Sequence, residues 1–392
     1  MKGKFFLSLV CAAAVCFTAA GLAGCAGNND SDNTAEPPTE GLEYTLNDDG
    51  KSYSVTGIGS ATDTKIVISA EYEGKPVTDI GKSAFAENQS ITSVTVPDSV
   101  TVIKTSAFAD CSSLKEVKLS YGLEELWQSV FYNCSALENV VLPDSLMSVG
   151  AGCFSDSDGS KLKNFRYTEQ EGVLYVGTAR NPYHALVGMA TKGATTAFTV
   201  HKDTKVIATG AFENNRNTLQ NIFFPQELTG INVPRSLFNN LLRTGKFNVN
   251  SANGYYLGTA PQSGNKGNPY VALIDAASAG FALKDGVKII AGDGLRANTQ
   301  NSFATQTEIV IPDGIDSIGE YAFLGFDKLE KITLPSSLTI LSRHLFDKCS
   351  ALTDITFKGT KAQWNAIKKS SNWDVNTADY TIHCTDGDIA KA

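Results

Sequence analysis

The sequence predicts a solenoid, a stack of about twelve short repeats sharing one parallel β-sheet. Three observations carry this. Phe85, Phe108, Phe131 and Phe154 follow one another at 23-residue intervals, and so do Phe323 and Phe346. An apolar I-x-I triplet, closed by proline in several copies, precedes these phenylalanines. The 392-residue chain is 42% hydrophobic and 19% charged, too apolar for disorder and too polar for a many-span membrane protein. Its net charge of −8 leaves no basic footprint for nucleic acid, which is set aside as a partner.

The first element is a targeting segment. Lys2 and Lys4 open it, residues 5–20 are apolar apart from Ser8 and Thr18, and small residues follow, the layout of a secretory signal. As a membrane span it is marginal in length and diluted by Ala and Gly. Leu22-Ala23-Gly24-Cys25 resembles the lipobox of bacterial lipoproteins. That resemblance implies residues 1–24 as a cleaved signal, diacylglycerol on Cys25, and anchoring to the outer side of a bacterial membrane at the cell surface. Without Lys2 and Lys4, 31 basic groups face 41 acidic ones, a net −10. Residues 25–41 are polar and Pro-containing and cannot bury enough surface to order. They read as a flexible tether reaching roughly 20 Å.

Residues 42–385 are one repeat array. The unit is L-x-x-I-x-I-P-x-S-(I/V)-x-x-I-G-x-x-A-F-x-x-C-S. It places strands at 66–68, 94–96, 117–119, 140–142, 165–167 and 198–200. Further strands fall at 222–224, 247–249, 281–283, 309–311, 332–334 and 355–357. In each triplet alternate residues point inward, and the proline ends the strand. The A-F-x-x-C turn brings the chain back with Phe filling the interior. One unit cannot close a core, so neighbours must stack, and twelve rungs at ~4.8 Å make a sheet roughly 55 Å long.

The A-F-x-x-C-S-x-L-x-x-I-x-I-P signature resembles the BspA-like leucine-rich repeat proteins of bacterial surfaces. The resemblance implies an α/β leucine-rich repeat solenoid, curved and right-handed, with its strands on the concave side. It also implies host-matrix, cell-surface or polysaccharide ligands in some members. Gly294-Leu295 in place of Ala-Phe, His201 at a Pro position and Asn214-Asn215 near the usual Cys depart from the pattern.

Both ends read as caps. Residues 43–56 alternate around Asp49-Gly50 as a hairpin covering the first rung. Residues 358–385 resemble the segment that often follows such arrays, which implies a helix-and-strand lid carrying Trp364, Ile367 and Trp373. An uncovered solenoid end exposes core and unpaired strand. Two modules interrupt the repeat, at about 168–197 and 250–280. Each holds Tyr-x-Gly-Thr, a variable stretch, then Asn-Pro-Tyr, readable as an inserted hairpin. Tyr175, Asn181, Tyr183, Tyr256, Asn268 and Tyr270 are assigned structural roles there.

Catalytic chemistry finds no frame. His184, His201, His344 and His383 are scattered over separate rungs and the cap, with no nucleophile motif beside them. Glu124-Glu125 and Asp156/Asp158 read as solvated turn charges rather than a facing pair. Asp156-Ser157-Asp158-Gly159 lacks the downstream acid that a calcium loop needs, and no Cys/His grouping suits zinc. Neither a metal nor a cofactor is expected. Of eight cysteines, Cys11 and Cys16 leave with the signal and Cys25 carries lipid. Cys111, Cys134, Cys153, Cys349 and Cys384 read as free fillers. Binding remains. The outward positions Val141, Arg166, Phe223, Asn248 and Val310 on the sheet face, and Trp127 on the turn side, are the candidate contacts. The reading is a surface-anchored, non-catalytic module that binds extracellular protein or polysaccharide. The alternatives are a purely structural envelope lipoprotein and a carbohydrate-active enzyme.

Overall fold

The computed structural model describes residues 36–215, 217–225, 227–234, 250–251, 255–260, 267–268, 270–275, 283–295 and 305–391. The predicted strands at 247–249 and most of 281–283, together with Asn248, lie outside them, as do Cys25 and the signal segment. The repeats form a β-solenoid of about twelve turns. Among the described residues helix is limited to short 3-10 segments, such as Glu213–Asn215, and one helix in the C-terminal cap, Lys361–Ala366.

The expected sheet is present as a first ladder. Lys65–Val67, Ser93–Thr95, Glu116–Lys118 and Asn139–Val140 pair in parallel, aligning Ile66, Val94, Val117 and Val140 into one buried row. Ala197–Thr199 pairs with Asn221–Phe223, and Glu308–Val310, Lys331–Leu334 and Asp354–Phe357 continue the pattern. Each strand begins one residue before its expected position. Residues 165–167 form no strand, although Phe165 is buried. The chain leaves the ladder there because Thr168–Gln170 pairs with the inserted hairpin.

A second parallel ladder was not expected. It begins with Tyr53–Gly57 of the N-terminal hairpin and continues in the I-x-x-I-G half of the unit: Lys75–Ile80, Val102–Ile103, Glu125–Leu126 and Ser148–Val149. A further run comprises Ile289–Ile290, Ser317–Ile318, Ile340–Leu341 and Lys368–Lys369. The A-F turn makes the third side. Ser83, Ser106 and Ser129 recur at positive φ, and alternate amides reach the next rung, as in Phe85 N to Ala107 O at 2.8 Å and Phe108 N to Val130 O at 3.0 Å. Backbone amides spent between rungs are not free to close a helix. Within this frame Phe85, Phe108, Phe131 and Phe154 stack with centroids 5.2, 5.7 and 5.6 Å apart.

The inserted modules are three-stranded. Thr168–Gln170, Val173–Val176 and Ala185–Met189 form one, whose last strand pairs in parallel with Val206–Ile207. Asn250–Ser251, Tyr255–Leu257 and Ala272–Asp275 form the other, joined to Ile289–Ile290. Each module therefore supplies a rung of the second ladder. The buried hydrophobic residues fall in two clusters that interleave between residues 256 and 291.

The N-terminal hairpin, Glu43–Leu46 with Tyr53–Gly57, caps the second ladder rather than the first. The first is closed by Thr39, which exchanges hydrogen bonds with Val67. At the other end Thr360 and Gln363 form a capping box on the helix, and Trp364 packs edge-on between Phe357 and Trp373. Thr381–Cys384 extends the first ladder and turns back through Gly387–Ala390.

In that last hairpin His383 lies between Asp388, 3.0 Å from Nδ1, and Asp354, 3.1 Å from Nε2. Hydrogen bonds to Asp388 and then Asp354 raise its pKa. A raised folded-state pKa stabilises the protonated form, so the contribution is complete below roughly pH 6.5. It is lost as pH rises through the folded-state value. At 39% side-chain exposure the effect is small. Amide exchange of residues 381–390 should therefore be slower at pH 5.5 than at pH 8 after correction for intrinsic rates. His383→Gln should abolish that difference, and an unchanged difference would exclude His383 as its source.

Candidate functional site

The first module opens a cleft in the first ladder. Where the chain departs after Asn139–Val140, the ladder is not continued by a strand until Ala197–Thr199. The gap is bridged by Leu142 N to Gly177 O at 2.9 Å and Arg166 N to Glu138 O at 2.9 Å. The result is a cleft of about 760 Å³, floored by Glu116–Lys118 and residues 139–144 and walled by Thr178, Ala179 and Arg180 at the module tip. Its charged groups alternate in sign: Lys115, Lys118 and Arg180 against Glu116, Glu138 and Asp144. Tyr121, 77% exposed, and Val141, 49% exposed, present apolar surface among them. An exposed aromatic beside charges of both signs suits a ligand with both a flat apolar face and polar groups.

Of the described residues singled out from sequence as contacts, only Val141 lines this cleft. Arg166 is exposed beside its rung, and Val310, 51% exposed, stands on a distant rung of the same ladder. Phe223 is half-buried in register with Thr199. Tyr121 and Arg180 were not singled out. Tyr121 follows the strand in a copy where Pro is absent, and a large aromatic at that turn was the available signal.

The module residues sit as supports. Tyr175 and Tyr256 are fully buried and meet Tyr183 and Tyr270 edge-on at 5.4 and 5.3 Å. Asn181 Nδ2 donates to Asp203 O at 2.6 Å, and Asn268 Nδ2 donates to Gly286 O at 2.9 Å. Each asparagine also accepts from the amide of its following tyrosine, at 3.0 and 2.9 Å. The same bonds in both modules hold the asparagine against the next rung.

Trp127 lies elsewhere, in a polar seam where N-terminal and C-terminal repeats face one another. Its indole donates to Glu125 Oε2 at 2.7 Å. The Arg343 guanidinium lies 5.9 Å from its ring, 3.1 Å from Glu125 Oε2 and 3.0 Å from Glu320 Oε2. Ser148 Oγ donates to Glu320 Oε1 at 2.6 Å, Ser370 Oγ to Glu125 Oε1 at 3.2 Å, and Ser371 N to Glu124 Oε2 at 2.8 Å. The expectation of solvated Glu124-Glu125 is corrected here: Glu125 is 1% exposed, because the second-ladder faces of two sets of repeats meet. Burial opposes the charge of Arg343, but Glu320 and then Glu125 outweigh it and hold the guanidinium pKa above its ordinary value.

Asp156 and Asp158 cap their own turn, accepting from Ser157 N at 2.7 Å and Ser160 N at 2.8 Å. Among the described residues no group of three or more His, Cys, Asp or Glu is placed to hold a metal. No described helix is long and apolar enough to cross a membrane. Cys111, Cys134, Cys153, Cys349 and Cys384 are free. The first, second and fourth donate to the Phe carbonyl one rung back, at 3.1, 3.0 and 3.2 Å, and Cys153 donates to Trp127 O at 2.8 Å. Burial pushes the Cys111 thiol up to about 11 and Cys153 and Cys349 to about 12. Such thiols are inert packing groups.

A family model described as the BspA type leucine rich repeat region matches residues 70–176, 191–257 and 296–378, in six copies. No curated protein matches the chain. Several solved structures resemble it. A leucine-rich repeat protein from Bacteroides capillosus is 37% identical over 27% of this chain and 80% of its own, with a TM-score of 0.25. A leucine rich cell surface protein from Faecalibacterium prausnitzii is 24% identical over 87% of this chain and 100% of its own, with a TM-score of 0.30. A leucine-rich repeat protein from Bacteroides ovatus is 15% identical over 82% of this chain and 71% of its own, with a TM-score of 0.31.

Proposed function

The chain belongs to the BspA-type leucine-rich repeat family, and on that premise we propose that it is a surface-anchored, non-catalytic binding module for extracellular protein or polysaccharide. The cleft between the first ladder and the first inserted module carries this reading. It is open, large enough for a peptide segment or a short glycan, and places Tyr121 and Val141 among charges of both signs. The rigid ladder beneath fixes their spacing, so little ordering entropy is lost on binding. Diacylglycerol on Cys25 would hold the array at the outer side of the membrane, with residues 25–41 as tether.

Two measurements test it. The purified protein, probed on an array of glycans and matrix proteins, should retain at least one ligand class. Tyr121→Ala should weaken that capture about thirtyfold, the scale of an aromatic hot spot, while leaving the thermal transition in place because the side chain is exposed. Capture that survives both Tyr121→Ala and Arg180→Ala would move the binding surface elsewhere. For the anchor, Cys25→Ala should release the protein into the medium, and continued retention in the membrane fraction would count against lipidation.

A further inference from the structure

The seam between N-terminal and C-terminal repeats encloses a second cavity, of about 390 Å³. Asp144, Met147, His184, Lys205 and Asn232 line it from one set of repeats, and Ile340 and Lys368 from the other. Its two lysines are held but not neutralised. Lys368 Nζ donates to Asp144 O at 2.9 Å and Leu146 O at 3.4 Å, leaving one N–H. Lys205 Nζ donates to Thr229 O at 2.8 Å, leaving two. Among the described residues neither ammonium has a carboxylate within ion-pair distance. Glu124 and Asp144 act on Lys368, and Asp316 and Asp203 on Lys205, only at longer range. Burial lowers Lys368 to about 8 and His184 to about 4, so at pH 7 the lysine is mainly charged and the imidazole neutral.

Asn232 is 4% exposed, and its Nδ2 donates to Met147 O at 2.9 Å and to Glu320 Oε1 at 3.5 Å, which fastens this wall of the cavity across the seam. Met147 and Ile340 offer apolar contact in the same cavity. The complementary molecule carries one carboxylate for the lysines and a compact body with apolar C–H faces. One sugar ring fits the volume.

We propose that this cavity binds a compact monocarboxylate of monosaccharide size, such as a uronic acid, with its carboxylate on Lys205 and Lys368. Its walls come from repeats far apart in the chain, with Asp144 and Met147 on one side and Ile340 and Lys368 on the other. The bound molecule therefore ties the two sets together and raises the melting temperature.

Calorimetric titration of the whole protein with D-galacturonate, D-galactose and tri-galacturonate tests this. Galacturonate should bind and raise the melting temperature, and galactose, lacking the carboxylate, should bind at least about tenfold more weakly. Lys205→Met should lose about tenfold or more, Lys205→Arg should stay within about threefold, and Tyr121→Ala should change nothing, which separates this cavity from the first-ladder cleft. Should Lys205→Met fail to fold, Thr229→Glu replaces it: this exposed rim residue brings a negative charge beside Lys205 and should also suppress binding. Tighter binding of the trimer identifies the acidic end of a polysaccharide as the source, and equal binding identifies the free acid. Absence of both heat and stabilisation with galacturonate, equal affinity for galactose, or indifference to the folded charge variants would overturn the proposal.

Discussion

Phe131→Ala should destabilise the array by about 3–5 kcal/mol, measured by urea unfolding, the range for emptying a large aromatic site in a packed core. Phe131 is fully buried, stacked on Phe108 at 5.7 Å and tilted against Phe154 at 5.6 Å. Each ring contact adds about 0.5–1.5 kcal/mol to the apolar area that burial removes from water. A solenoid is stabilised by nearest-neighbour interfaces, so one missing ring weakens the contacts to the rungs on both sides. The rung cannot collapse into the void, because Ser129 N to Ala151 O at 2.8 Å and Phe131 N to Cys153 O at 3.1 Å pin the turn to its neighbour. Phe131→Leu should recover more than half of the loss. A cost below about 1 kcal/mol for the alanine variant would mean that the ring stack is not what fills this core.

Arg343→Met should cost a similar amount, about 3–5 kcal/mol, for a different reason. The methionine fills the space of the stem but leaves Glu125 and Glu320, 1% and 8% exposed, without their cation. Neither carboxylate can return to water while the seam stays closed, since Ser370 and Trp127 bind Glu125 and Ser148 binds Glu320. The pH dependence gives the mechanism away. Burial opposes the charge of a carboxylate that has lost its cation, so the variant's deficit relative to the wild type should shrink as the pH is lowered. Adding Glu125→Gln and Glu320→Gln should restore most of the loss at pH 7. If the single and triple variants are equally unstable, the seam is held by packing and not by this ion triad.

These two variants also separate what could be read in the chain from what could not. The Phe131 site was legible because its determinants are local and repeated: a ring at a constant interval, a strand ending at Pro, a small residue beside the ring. Breaks in the same periodicity located both inserted modules, each marked by its Asn-Pro-Tyr, while the C-terminal cap is read from a resemblance to the segment that often ends such arrays. The second ladder was missed because two-residue strands carry no period of their own. Their pairing comes from stacking whole rungs and not from any alternation along the chain.

The candidate site was legible only in part. Val141 could be placed on the open face by counting along its triplet, but no local pattern shows that the module tip at 178–180 folds beside it to make a cleft. The seam was still less accessible. Glu320 and Arg343, one repeat apart, could have been matched as an ion pair on adjacent rungs, yet nothing near them names Glu125 as the third member. By itself, then, the sequence determined the repeat, its strand positions to within one residue, its buried rings and its inserts, because each is set by neighbours within about one turn of the solenoid. Only the tertiary structure decided which polar faces are covered and which stay open. That choice turns on contacts between distant repeats, Ser148 with Glu320 and Glu125 with Arg343, where burial and charge pairing outweigh any local preference.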